Sequence, residues 1–151
     1  MPAVLYTVLL TVLPLYNLVV NFNAMNISTD YAARDYAQTI FKNSSDGATI
    51  IADGDEHYFA LMYYRYVIAS EKNQTVVSAE LLQFDWYFDN IRRVVPGVNA
   101  SAQNLSDRIA AVIEANLTQG REVYTTVPDD SFASYALEPR DGFYRVTRKL
   151  R

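Results

Sequence analysis

Thr49-Ile50-Ile51-Ala52-Asp53-Gly54-Asp55-Glu56-His57-Tyr58-Phe59 is the stretch on which the fold turns. A short apolar, β-branched run stops at two aspartates around a glycine. A glutamate and the only histidine of the chain follow, and a helical pattern begins. Such a run bounded by a turn signal reads as a buried strand leading into a helix. In an open α/β sheet, the turn at the carboxyl end of a strand is where ligands bind. The same acids have a plainer use, because they cap the helix that comes next.

Working outward, the pattern alternates. Upstream, Ser28, Thr29 and Asp30 are competent N-caps for a helix running to about Lys42, with Tyr36, Ala37, Ile40 and Phe41 as its apolar face. Asn43 to Gly47 is a turn cluster. Downstream, a helix dense in aromatics spans Glu56 to Ser70, and Thr75 to Ala79 is a second strand. Leu81 to Val95 reads as a third helix stopped by Pro96-Gly97. After a polar link, Ser106 or Asp107 caps a fourth helix striped by Ile109, Val112, Ile113 and Leu117 and closed by Gly120. Glu122 to Val127 is a third strand, Asp129 to Tyr135 a short helix, and a closing strand or hairpin surrounds Arg140-Asp141-Gly142. Strands alternating with helices predict an α/β fold: a small, mainly parallel, Rossmann-like sheet with helices on both faces.

The 151 residues suffice for one ordinary domain with a true core. A net charge of −4 argues against nucleic acid as a partner, since phosphate binding needs a basic face. With no cysteine, disulfides, zinc-thiolate sites and thiol chemistry are excluded. Residues 1–29 hold no charged side chain, and Pro2 to Phe22 is close to the ~20 apolar residues that cross a bilayer. A cleavable signal is disfavoured by the missing basic n-region and A-x-A site. The expected organisation is a transmembrane helix at 1–22 and an extracytoplasmic α/β domain at 23–151.

Three ordered blocks carry a family resemblance: Ala33 to Ile40, Ile51 to Tyr64, and Val76 to Asp89 with its Asp85-Trp86-Tyr87 core. Tyr135 to Val146 adds a terminal element. Together they resemble the region after the last membrane helices in a family of multi-pass bacterial membrane proteins. That family carries a domain of unknown function and is related to protein O-mannosyltransferases of the GT-C membrane fold. Relatives have Gly-Asp-x-Asp where this chain has Gly54-Asp55-Glu56-His57, so no role carries over to that second acid. The family's catalytic acids would lie in early membrane helices and loops that this sequence does not contain. The resemblance therefore implies a detached carboxy-terminal accessory or binding domain, not catalytic by itself, that contacts a carbohydrate, a polypeptide acceptor or a multi-pass glycosyltransferase region.

In a parallel sheet the strand ends collect acids. The first turn supplies Asp53, Asp55, Glu56 and His57, the second Glu80 and Asp85, and the third Asp129 and Asp130. Such oxygen donors suit Mg²⁺ or Ca²⁺. They equally suit sugar hydroxyls, with Tyr58, Trp86 and Tyr87 offering ring faces. The competing explanation is capping, with Asp55, Asp85 and Asp129 each preceding a helix. An alternative enzymatic reading follows from the strand-then-Asp53-Gly54-Asp55 pattern, which resembles the start of haloacid-dehalogenase-like phosphatases. There Asp53 would be the nucleophile, Asp55 a general acid, and Asp129-Asp130 Mg²⁺ ligands. Against it, no lysine lies between Lys72 and Asp129.

Asn26, Asn43, Asn73, Asn99, Asn104 and Asn116 each head an Asn-x-Ser/Thr sequon. Chance placement predicts about one or two. The excess points to an extracytoplasmic, glycosylated surface, although turns and caps favour the same residues.

Overall fold

The computed structural model describes residues 2–69 and 73–149, and the chain divides into two units between Tyr31 and Ala32. The first unit is helix α1, Pro2–Met25. It is uninterrupted by Pro14, and Tyr6–Met25 has a mean hydropathy of 1.6, long and apolar enough to cross a membrane. Its polar side chains turn back on their own helix: Thr11 Oγ1 donates to the Thr7 carbonyl at 2.9 Å and Asn21 Nδ2 to the Asn17 carbonyl at 2.9 Å. That is how polar groups are satisfied where no water is available.

The second unit is a sheet between two helical layers. Its elements are α2 (Ala32–Asn43), β1 (Thr49–Ala52), α3 (Asp55–Tyr63), β2 (Thr75–Ser78), α4 (Asp85–Val94), α5 (Leu105–Thr118), β3 (Val123–Thr125), β4 (Tyr135–Arg140) and β5 (Phe143–Arg148). The strand order is β2-β1-β3-β5-β4. β1 runs parallel to both β2 and β3, whereas β5 is antiparallel to β3 and β4 antiparallel to β5. The sheet is therefore mixed, not mainly parallel. The reason is the Asp141-Gly142 turn: two residues allow only an antiparallel hairpin, because a parallel return needs a crossover of a dozen residues or more.

β1 lies inside the sheet, paired on both sides by β2 and β3, which explains its apolar Ile50-Ile51-Ala52 run. All four of its residues are buried. Ile50 and Ala52 face α2 and α3, where they meet Ile40, Phe41, Leu61, Val76 and Phe143. Ile51 faces the opposite layer, with Val77, Phe88, Ile91, Ile109, Val112 and Ile113. Burying a side chain of this kind is worth about 1.5–3 kcal/mol. The layering follows from the connections: β1 to β2 steps one way and β2 to β3 steps back past β1, so crossovers of one hand place their helices on opposite faces.

Several elements differ in detail from the expected ones. The helix after β1 is α-helical only to Tyr63 and continues as a wider π-helical turn, Tyr64–Ala69; its expected end at Ser70 lies outside the described residues. The helix expected over Leu81 to Val95 is split into a 3₁₀ turn, Glu80–Gln83, and α4, because Phe84 is extended between them. Asn104, not Ser106 or Asp107, caps α5, its side chain accepting from the Asp107 N–H. The expected helix at Asp129 to Tyr135 shrinks to a 3₁₀ turn, Asp130–Phe132, and Tyr135 already belongs to β4.

Buried polar groups tie the layers together. Asn116 is fully buried, accepts from Thr49 Oγ1 at 2.9 Å and donates to the Val112 carbonyl at 2.8 Å, joining α5 to β1. Arg108 on α5 donates to the Leu82 and Gln83 carbonyls at 3.0 and 2.9 Å, pairs with Asp85, and lies over the Phe88 ring. It holds the 3₁₀ turn and α4 against α5.

Candidate functional site

The chain leaves β1 toward β2 and leaves β3 in the opposite direction, toward β4 and β5. The carboxyl ends of β1 and β3 thus flank the point where connections diverge, the position at which open α/β sheets bind ligands. Asp53 and Thr126 meet there. The Thr126 N–H donates to the Ile51 carbonyl at 3.1 Å, extending the ladder by one bond, and the Asp53 N–H donates to Thr126 Oγ1 at 3.0 Å. Gly54 follows with φ of 79°, a left-handed conformation that lets the chain turn sharply into α3. A β-carbon at Gly54 would meet the Glu56 carboxylate at 3.0 Å.

His57, one turn into α3, places Nδ1 2.6 Å from the Asp53 carbonyl. A carbonyl only accepts, so Nδ1 carries the proton and Nε2 is the nitrogen left to meet a ligand. The Tyr36 ring from α2 lies against the imidazole at 5.1 Å between centroids. Its hydroxyl is buried near Thr126 without a well-formed hydrogen bond, and burial pushes its pKa up to about 12. The Asp53 carboxylate has no hydrogen-bonding or ionic partner among the described residues.

The remaining expected acids are dispersed. Asp55 and Glu56 lie exposed in the first turn of α3, where carboxylates favour the positive end of the helix. Asp55 is not the cap: Gly54 holds that position, with no side-chain bond. Glu80 opens the 3₁₀ turn after β2 and is exposed. Asp85 likewise is not a cap, since Phe84 occupies that place, and it pairs with Arg108 instead. Asp129 does cap, accepting from the Ser131 N–H at 2.7 Å, and Asp130 is exposed beside it. Among the described residues no three His, Asp or Glu side chains converge on a point that would hold a metal ion. The expected Mg²⁺ or Ca²⁺ cradle is therefore not assembled, and the Asp129-Asp130 pair does not join Asp53 and Asp55 around one ion.

The aromatic members gather at the end of β2, a sheet edge. Tyr87 is buried, and its hydroxyl accepts from the Ser78 N–H at 2.9 Å, satisfying the last residue of the strand. Burial drives the Tyr87 pKa upward, with the neighbouring Tyr58 hydroxyl adding to it. Trp86 packs edge-on against Tyr87 at 5.5 Å and stacks with Phe84 at 6.4 Å, while remaining 60% exposed. Tyr58 in turn lies 5.4 Å from Phe59.

Tyr36 and Thr126 escaped the sequence reading. Thr126 lies 73 residues beyond Asp53, and only the register of β1 with β3 brings the two together. No local signal marks it. The recess of about 540 Å³ lined by Gly97, Asn99, Ala111, Glu114 and Gln119 lies on the outer side of α5, away from the strand ends. Of the sequon asparagines, Asn26, Asn43, Asn73, Asn99 and Asn104 are exposed. Asn116 is not available for glycosylation, because it is 0% exposed and both ends of its amide are bonded.

No protein-family model matches this chain, and no solved structure matches it.

Proposed function

We propose that the chain is a membrane-anchored accessory or binding domain, held by α1 as a single span, with its α/β unit on the extracytoplasmic side. It is not catalytic by itself. Its recognition surface is the β1–β3 crevice. One observation carries this reading: Asp53 and His57 are fixed in place through their backbone and Nδ1 contacts, while the Asp53 carboxylate and His57 Nε2 have no partner among the described residues. A preset acceptor pair beside a tyrosine ring fits vicinal hydroxyls and the apolar face of a sugar. The ordered blocks that resemble the carboxy-terminal domain of GT-C relatives support the same ligand class, a carbohydrate or glycosylated acceptor. They also support a multi-pass glycosyltransferase region as partner. The exposed sequons support the extracytoplasmic side.

The test is calorimetric titration of the full chain in detergent micelles with monosaccharides and oligosaccharides. The reading predicts a saturable heat for a sugar that Asp53→Asn weakens about tenfold, the worth of one charged hydrogen bond. Silence across the sugars, or a signal unaffected by Asp53→Asn, rejects the crevice as the site.

A further inference from the structure

Outside the crevice, the largest unexplained feature is an exposed aromatic shelf. Along α3 and its π-helical extension, Phe59, Tyr63, Tyr66 and Val67 recur at helical spacing, yet all face outward; Phe59 is 61% and Tyr66 75% exposed. The helix buries its other side, through Leu61 and through Tyr64 stacked on Phe41 at 5.4 Å. More exposed rings follow β2, the edge strand that α3 packs against. There Trp86 packs on Tyr87 and Phe84 packs on Trp86, with Phe84 and Trp86 both exposed. A soluble surface rarely carries so many large apolar side chains together without a partner.

We propose that this shelf seats on the lipid bilayer, its rings at the boundary between headgroups and acyl chains. The inference rests on α1 being a membrane span. Given that, the occupant follows from covalent geometry and side-chain chemistry. Only residues 26–31 separate the end of α1 from the start of α2, a tether of at most about 25 Å when fully extended. Two backbone hydrogen bonds, Asn26 N–H to Phe22 O at 2.9 Å and Asp30 N–H to Ile27 O at 3.0 Å, shorten it further. The bilayer is thus always within reach of this domain, at an effective concentration that no diffusing partner matches. The shelf residues are the types that favour that boundary, with tryptophan and tyrosine presenting apolar rings and polar tips. Charges flanking the rings in sequence are of both signs, Arg65 and Arg93 against Glu80, Asp85 and Asp89, so the contact is apolar and needs no anionic lipid.

Trp86 is the only tryptophan in the chain, so fluorescence excited at the red edge, where tyrosine does not absorb, reports on Trp86 alone. The full chain is reconstituted in phosphatidylcholine vesicles with and without lipid brominated at a shallow acyl position. The proposal predicts about twofold or greater quenching of Trp86 by the brominated lipid, with protection from aqueous iodide. The paired variant Phe59→Ser, Tyr66→Ser, both surface positions, should halve that quenching while the protein still floats with the vesicles. Trp86 open to iodide and indifferent to bromolipid, in protein that floats, overturns the shelf contact and leaves the span standing. Trp86 shielded from iodide yet indifferent to bromolipid also overturns it, because another protein surface then covers the rings. Undiminished quenching in the paired variant overturns it as well. Failure to float removes the span and the proposal together.

Discussion

Asn116→Ala offers a quantitative check on how α5 is bound to the sheet. The Asn116 amide accepts from the Thr49 hydroxyl and donates to the Val112 carbonyl, in a place closed to solvent. Truncation leaves the Thr49 hydroxyl buried without its acceptor, at about 1–3 kcal/mol, and opens a small cavity between α5 and β1. The expected loss is about 2–4 kcal/mol, a fall of roughly 8–15 °C in Tm for a domain of this size. Thermal unfolding of the full chain in detergent, followed by near-ultraviolet circular dichroism, reads it. Thr49→Val removes the orphaned hydroxyl, so the double variant should lose about 1–2 kcal/mol less than the two single losses added together. Additivity within about 0.5 kcal/mol would refute the bond as the link between α5 and β1. The same burial predicts that Asn116 stays unmodified in a host that glycosylates the exposed sequons.

Tyr87→Phe removes the acceptor for the Ser78 N–H at the sheet edge; a loss of about 1–2 kcal/mol is expected in the same melt, and an unchanged Tm would count against it. Gly54→Ala places a side chain at φ of 79° against the Glu56 carboxylate; a cost of about 1–2 kcal/mol is expected, and the crevice geometry it distorts should weaken any sugar signal as well. Glu122 is held below the usual carboxylate range, first by the Ser45 hydroxyl, then by the Tyr124 hydroxyl at 2.5 Å, with Arg145 assisting. A depressed carboxyl stabilises above its unfolded value near 4.3 and loses that contribution as pH falls through the folded value. Glu122→Gln should therefore flatten the acid side of the stability profile below about pH 5, and an unchanged acid slope would contradict the pairing.

What the residues disclose in advance depends on how local the physics is. Ile50 to Ala52 is recognisable as an interior strand because burial on both faces demands an apolar run. The turn at Asp53-Gly54 is equally local, since a strand stop, a positive-φ glycine and a helix start lie within three residues. The direction of β4 and β5 is decided instead by the Asp141-Gly142 hairpin, and alternation with helices upstream suggests the wrong extension of the sheet. Long-range pairings leave no such trace. Thr126 reaches Asp53 only through strand register, and Tyr36 reaches His57 only because α2 and α3 share a face. Acids near strand ends looked like a cluster in sequence because spacing says nothing about where a side chain finds its partner. Asp85 turns to Arg108 and Asp129 to a backbone N–H. A sequon at Asn116 looks like the other five, and only tertiary packing buries it.

The central claim is a binding domain anchored by α1, and alkaline extraction of membranes expressing the full chain tests it most directly. The account predicts that the protein stays in the pellet at high pH and leaves it only with detergent. Release into the alkaline supernatant, or recovery in the soluble fraction from the outset, would contradict it.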